Sequence, residues 1–87
     1  MTTVRIPQPM QVYTQNREVV EAGGKNIRQL INALDLHYPG MKDALLKDDK
    51  LRPDVAIMLD GKISQLGLLQ ALSDENEVIF IPAIGGG

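Results

Sequence analysis

Apolar and polar residues alternate at the amino-terminal end of the chain, where Val4 and Ile6 fall on one face and Thr3 and Arg5 on the other. That period of two predicts a half-buried strand over Thr2 to Ile6, ended by Pro7 and Pro9, which cannot donate to a ladder. Glu18 to Ala22 is the next β-rich run. It precedes the Gly23-Gly24 turn and is expected to pair with the first strand, while the register of residues 8 to 17 stays open. The period then changes to that of a helix. Ile27, Leu30, Ile31 and Leu34 stand at i, i+3, i+4 and i+7, Asn26 is suited to capping, and Gln29 follows as in a capping box. A helix is expected from Ile27 to Tyr38, broken by Pro39-Gly40, with Arg28, Gln29, Asn32 and Asp35 towards water.

Met41 to Leu46 reads as a second short helical turn that places Met41, Leu45 and Leu46 at the core edge, before a charged loop, Lys47-Asp48-Asp49-Lys50. Val55 to Leu59 alternates again, with Val55, Ile57 and Leu59 inward and Ala56 and Met58 outward. Asp60-Gly61 predicts a hairpin turn into Lys62-Ile63-Ser64. Leu66, Leu68, Leu69 and Leu72 are expected to supply core material through an irregular stretch, and Ser73 to Asn76 form a polar turn into a final strand from Glu77. If Val78 and Phe80 face the helix, Ile79 and Ile81 lie on the open face beside Ala56 and Met58, a patch of four apolar residues. Singly exposed apolar side chains are ordinary, so the patch has a bland reading as well as a docking one. One amphipathic helix and four to five strands make an α+β domain, a mixed sheet with the helix packed on one face.

Composition narrows the function. Eighty-seven residues make one domain, expected over 1–82 with 83–87 as a flexible tail. A net charge of −2 and nine dispersed Lys and Arg give no basic patch for nucleic acid. No apolar run approaches the ~20 residues that span a bilayer, no basic-then-apolar leader opens the chain, and a cytoplasmic protein is expected. With no cysteine and one histidine, the side chains offer neither a disulfide framework, nor a thiolate nucleophile, nor a zinc site. Gly23-Gly24-Lys25-Asn26 resembles a phosphate-binding loop only faintly, since Val19 replaces the leading glycine and Asn26 the magnesium-binding hydroxyl, and a turn with a helix cap is the better reading. His37 has no nucleophile or second ligand to work with, and Asp48-Asp49 and Asp74-Glu75 read as solvated turns.

The carboxy-terminal stretch is the exception to this ordinary pattern. Pro82 is expected to stop the last strand's pairing, and Ala83-Ile84-Gly85-Gly86-Gly87 follow. Composition allows a disordered terminus or a leftover linker. It equally allows the α-carboxylate of Gly87 to be the functional group, carried on a thread without side chains that fits a narrow channel in another protein. A carboxylate is a poor electrophile, and attack on the α-phosphorus of ATP would convert it to an acyl-adenylate open to displacement. Ordering the glycines costs about 1–2 kcal/mol each, which a docking surface on the folded body has to offset.

The succession Leu51-Arg52-Pro53-Asp54-Val55, Leu59-Asp60-Gly61, Leu72-Ser73-Asp74-Glu75-Asn76-Glu77-Val78 and Ile81-Pro82-Ala83-Ile84-Gly85-Gly86-Gly87 resembles the ubiquitin-like sulfur-carrier family of the ThiS and MoaD type over nearly the whole chain. Tyr38-Pro39-Gly40 is similar to the helix ending of the molybdopterin synthase small subunit and of the cysteine-biosynthesis carrier. The resemblance implies a β-grasp fold and no enzyme activity of the chain's own. It implies a protein co-substrate, or the small subunit of a sulfur-transfer complex, whose terminal glycine is adenylated by a ubiquitin-activating-type enzyme that uses ATP and magnesium. A sulfur donor then converts the adenylate to a thiocarboxylate that serves a downstream biosynthetic enzyme. Gly87 would be the modified residue, Gly85 and Gly86 its tail, and Ala56, Met58, Ile79 and Ile81 the docking face, with no cofactor bound by the chain itself. Gly85 in place of a small residue, and Asn76 in place of glycine or aspartate, depart from the pattern; the latter is expected to touch only its own turn. Two other readings stay open, a modifier joined to target lysines through the same adenylate and an interaction module with an inert tail.

Overall fold

The computed structural model describes residues 1–82, so the expectations for Ala83 to Gly87 lie outside the described residues. The amino-terminal alternation becomes β1 (Thr2–Arg5), with Thr2 and Val4 buried; Ile6, included in the expected strand, is also buried but lies just beyond its end. Residues 8 to 17 are a series of tight turns, beginning with a single 3-10 turn over Gln8–Met10. The Thr14 hydroxyl donates to the Arg17 carbonyl at 2.9 Å and the Gln11 amide donates to the Ile6 carbonyl at 3.1 Å, so side chains take over backbone pairing that a strand would have supplied. The chain then returns as β2 (Val19–Ala22), one residue shorter than expected.

Helix α1 (Ile27–His37) starts at the expected cap: Asn26 Oδ1 accepts from the Gln29 amide at 2.9 Å, while Gln29 Oε1 reaches back to the Lys25 amide, also at 2.9 Å. These reciprocal bonds satisfy otherwise orphaned amides, and they settle Gly23 to Asn26 as a turn and cap. Ile27, Leu30, Ile31 and Leu34 are fully buried. Arg28 and Asp35, expected in water, are half-buried because each has a task. Asp35 Oδ1 accepts from the Gly40 and Lys42 amides, both at 3.1 Å, and so holds the start of α2 (Met41–Leu45) against α1. Arg28 donates to Asp49 Oδ1 at 2.8 Å and to the Asp49 carbonyl at 3.1 Å.

Asp49 belongs to an element that replaces the expected charged loop. Lys47 to Lys50 is the tip of a small ribbon, β3 (Leu46–Lys47) paired with β4 (Lys50–Leu51). Its two turn residues, Asp48 and Asp49, have φ of 53° and 63°. Aspartate tolerates that left-handed region because its short side chain bonds locally, and both central residues of a type I′ hairpin turn need it. The Asp60-Gly61 turn uses the same geometry, with φ of 50° and 85°, to join β5 (Val55–Leu59) to β6 (Lys62–Ser64).

The last strand, β7 (Glu77–Pro82), runs up the middle of the main sheet, whose order is β2-β1-β7-β5-β6. It pairs parallel with β1 and antiparallel with β5, so the sheet is mixed, with five strands. Val78 and Phe80 point inward with no exposure and meet α1 and α2 in one core with Val4, Val20, Ile57, Met41 and Leu45. Each such side chain contributes about 1.5–3 kcal/mol through burial. Leu59, at the end of β5, is only half-buried. Of the four leucines expected in the core beyond β6, only Leu68 and Leu72 pack against it; Leu66 and Leu69, flanking and ending a 3-10 turn (Gly67–Leu69), are 60% and 81% exposed. A turn this short repeats every three residues and sends its leucines in different directions. Among the described residues no helix is long and apolar enough to cross a membrane.

Two stability measurements follow from this packing. Leu34→Ala is expected to lower the unfolding free energy by about 2–5 kcal/mol, and Leu69→Ala to change it by no more than about 0.5 kcal/mol, in urea titrations with an unchanged slope. Gly24 has φ of +145°, and a Cβ there would stand 2.7 Å from the Leu30 backbone nitrogen. Gly24→Ala is therefore expected to cost more than about 1 kcal/mol in the same titration.

Candidate functional site

The register of β7 decides what the open face looks like. Met58 stands opposite Ile79 and Ala56 opposite Ile81, so the four residues singled out from the sequence form one contiguous block, two from each strand. Ile81 is 38% exposed and the other three are half-buried, each shielded by its neighbours on the sheet. Their inward neighbours Val55, Ile57, Val78 and Phe80 are all buried, which locks the block outward, because a slip of one residue would turn the core to solvent.

The block is the centre of a longer row that sequence reasoning missed. Ile63 of β6 lies opposite Met58, Arg5 of β1 lies beside Ile79, and Val19 of β2 lies opposite Arg5. Val19, Arg5, Ile79, Met58 and Ile63 thus cross the whole sheet in one line, with Val19 45% and Ile63 58% exposed. Alternation within each strand gives the faces; only the pairing register shows that these five align. Arg5 Nε lies 3.1 Å from Glu77 Oε2, and their side chains are 55% and 40% exposed. An ion pair so open to solvent contributes about 0–1 kcal/mol.

At the carboxy-terminal end of β7, Pro82 pairs with Val55 instead of ending the ladder before itself. Proline is tolerated at a strand end where its nitrogen faces away from the partner. Pro53, Asp54, Val55, Ala56, Ile81 and Pro82 line an open depression of about 300 Å³, where the last described residue leaves the sheet. The other end of β7 is fixed by Asp60. Its amide donates to the Glu77 carbonyl at 2.9 Å, its Oδ1 accepts from the Glu77 amide at 2.8 Å, and its Oδ2 accepts from the Asn76 side-chain amide at 2.6 Å. Asn76 also accepts from the Ser73 amide at 2.7 Å. It therefore ties two turns together, where the sequence suggested an effect on its own turn alone.

The face carries contact surface, not reactive groups. His37 is exposed at the end of α1, Asp48 and Asp49 turn the ribbon, and Asp74 is paired with the amino group of Met1 at 3.0 Å. Among the described residues, no three His, Cys, Asp or Glu gather as a metal site would require. What the geometry does supply is an apolar platform from which the central strand leads directly towards residues 83–87.

The chain is 29% identical over 90 residues to "Sulfur carrier protein CysO" of Mycobacterium tuberculosis, covering 98% of this chain and 97% of that one. A chain from the Amycolatopsis orientalis BexX/CysO complex matches with a TM-score of 0.94 at 26% identity, over the full length of both. Small archaeal modifier protein 1 from Methanosarcina acetivorans matches with a TM-score of 0.84 at 18% identity, covering 99% of this chain and 95% of that one, and shares the β-grasp fold. A family model, that of the ThiS family, matches residues 4–87, from the first buried valine of β1 through the last glycine. The open face and the strand that leads from it are therefore those of a β-grasp protein, and the chain belongs to the ThiS family.

Proposed function

We propose that this protein is a sulfur carrier that works through the carboxylate of Gly87. The observation that carries the reading is the family match, which runs through residue 87 and so includes the tail as well as the folded body. The relative from Mycobacterium tuberculosis, named as a sulfur carrier and similar over nearly the full length of both chains, supports it. The protein is a co-substrate, and the catalytic groups belong to its partners. An adenylating enzyme of the ubiquitin-activating type, using ATP and magnesium, directs a carboxylate oxygen of Gly87 onto the α-phosphorus, and pyrophosphate leaves. Sulfide or its equivalent from a sulfur donor then attacks the acyl carbon, the acyl–oxygen bond breaks, and AMP departs to leave a thiocarboxylate. That group hands its sulfur to a biosynthetic enzyme making a cofactor, an amino acid or a specialised metabolite. Gly85 and Gly86 supply a thread that enters the active site, and all of this takes place in the cytoplasm.

Ala56, Met58, Ile79 and Ile81 dock the carrier on the activating enzyme. Covering an apolar block beside the tail root yields favourable burial close to where the glycines lose their freedom, so the two terms are coupled in space. The depression beside Pro82 receives a side chain of the partner and fixes the angle at which the tail leaves.

The direct test incubates the full chain with ATP, magnesium, sulfide and adenylating enzymes of this type from the same genome, and follows pyrophosphate release and intact mass. The expected product is heavier than the starting chain by the difference between sulfur and oxygen, and a variant lacking Gly86 and Gly87 gives neither signal. Lysine-linked conjugates in place of the thiocarboxylate, or no ATP-dependent change at all, would overturn the proposal. For the docking face, Met58→Lys is expected to raise KM for the carrier about tenfold or more at unchanged kcat, while Leu36→Lys leaves both constants alone. Leu36 is 83% exposed on α1, across the domain from the sheet face.

A further inference from the structure

The open-face positions of the five strands hold one cation and two carboxylates: Arg5 lies in the apolar row, and Glu77 and Glu21 lie in the next row on either side of Thr3. Arg5 is therefore the one positive charge at the open-face positions of these strands. Its Nε lies 3.1 Å from Glu77 Oε2 in an ion pair open to solvent, and among the described residues its two terminal nitrogens donate no hydrogen bond. Arginine carries five N–H donors in a planar fork, and those on the two terminal nitrogens remain for solvent. A surface that covers Ile79 and Met58 on one side of Arg5 and Val19 on the other must also cover Arg5. Removing a guanidinium from water without acceptors costs several kcal/mol, so a purely apolar partner is disfavoured. Lysine would satisfy such a site with a point charge, whereas the arginine fork matches a carboxylate with two parallel bonds.

We propose that Arg5 is a specificity-determining contact of the docking face, and that the activating enzyme presents an aspartate or glutamate to its two terminal nitrogens while Glu77 keeps Nε. The inference rests on the carrier reading. Glu77 stays beside Nε, the apolar row seals the site from water, and an enzyme with a neutral or basic residue at that place is rejected.

The test uses the full-length chain and an adenylating enzyme that activates it. Arg5→Ala is expected to raise KM about tenfold or more at nearly constant kcat, and Arg5→Glu to raise it further. Exchanging the facing carboxylate of the enzyme for arginine restores Arg5→Glu and does not restore Arg5→Ala. Raising the ionic strength lowers kcat/KM for the wild type and has much less effect on Arg5→Ala. Thermal unfolding of both variants is expected to match the wild type, since the side chain is more than half exposed. An unchanged KM for Arg5→Ala, alongside a raised KM for Met58→Lys, overturns the role of Arg5 and leaves the carrier intact. Failure of every adenylating enzyme to modify the wild-type chain overturns both.

Discussion

The pairing of β7 on both of its edges is the constraint on which the molecule depends. A strand with neighbours on either side has no freedom to shift: its parallel ladder to β1 and its antiparallel ladder to β5 each specify a register, and the two agree only in one position. That position puts Phe80 and Val78 in the core and Ile79 and Ile81 outside. Asp60 and Asn76 pin the strand's start, so the register does not rest on apolar packing alone. The same strand is thus the middle of the core, the middle of the open face and the base of the tail.

This arrangement separates two demands that conflict in a small protein. Under the proposed function a reactive end has to reach into another protein's active site, and a domain of this size has little stability to give up. Here the core is completed by α1, α2 and the inward half of β7, and Pro82 is already at its boundary. The ribbon of β3 and β4 is clamped to α1 by Arg28. Changes at the carboxy-terminal end can therefore proceed without disturbing what holds the body together.

Much of this was legible in the sequence, for reasons tied to particular residues. The helix declared itself because Ile27, Leu30, Ile31 and Leu34 keep one period and Asn26 caps it; the block of Ala56, Met58, Ile79 and Ile81 followed from alternation in two strands. The ribbon did not, because strands of two residues are too short to show a period and Asp48-Asp49 lacks the glycine that usually marks a tight hairpin. Leu66 and Leu69 misled because nothing periodic distinguishes them from Leu68 and Leu72. Val19, Arg5 and Ile63 were invisible as members of the row across the open face, since which residues line up across a sheet is a property of the pairing and not of any one strand. The tail is legible only in composition and in the likeness of its residues to a family.

The central placement of β7 also has a mechanical side. Under the proposed function a partner that takes up the terminal glycines loads this strand, and the ladders to β1 and β5 lie on both sides of its axis. A pull along that axis is shared in shear by two ladders, whereas an edge strand would bear it on one.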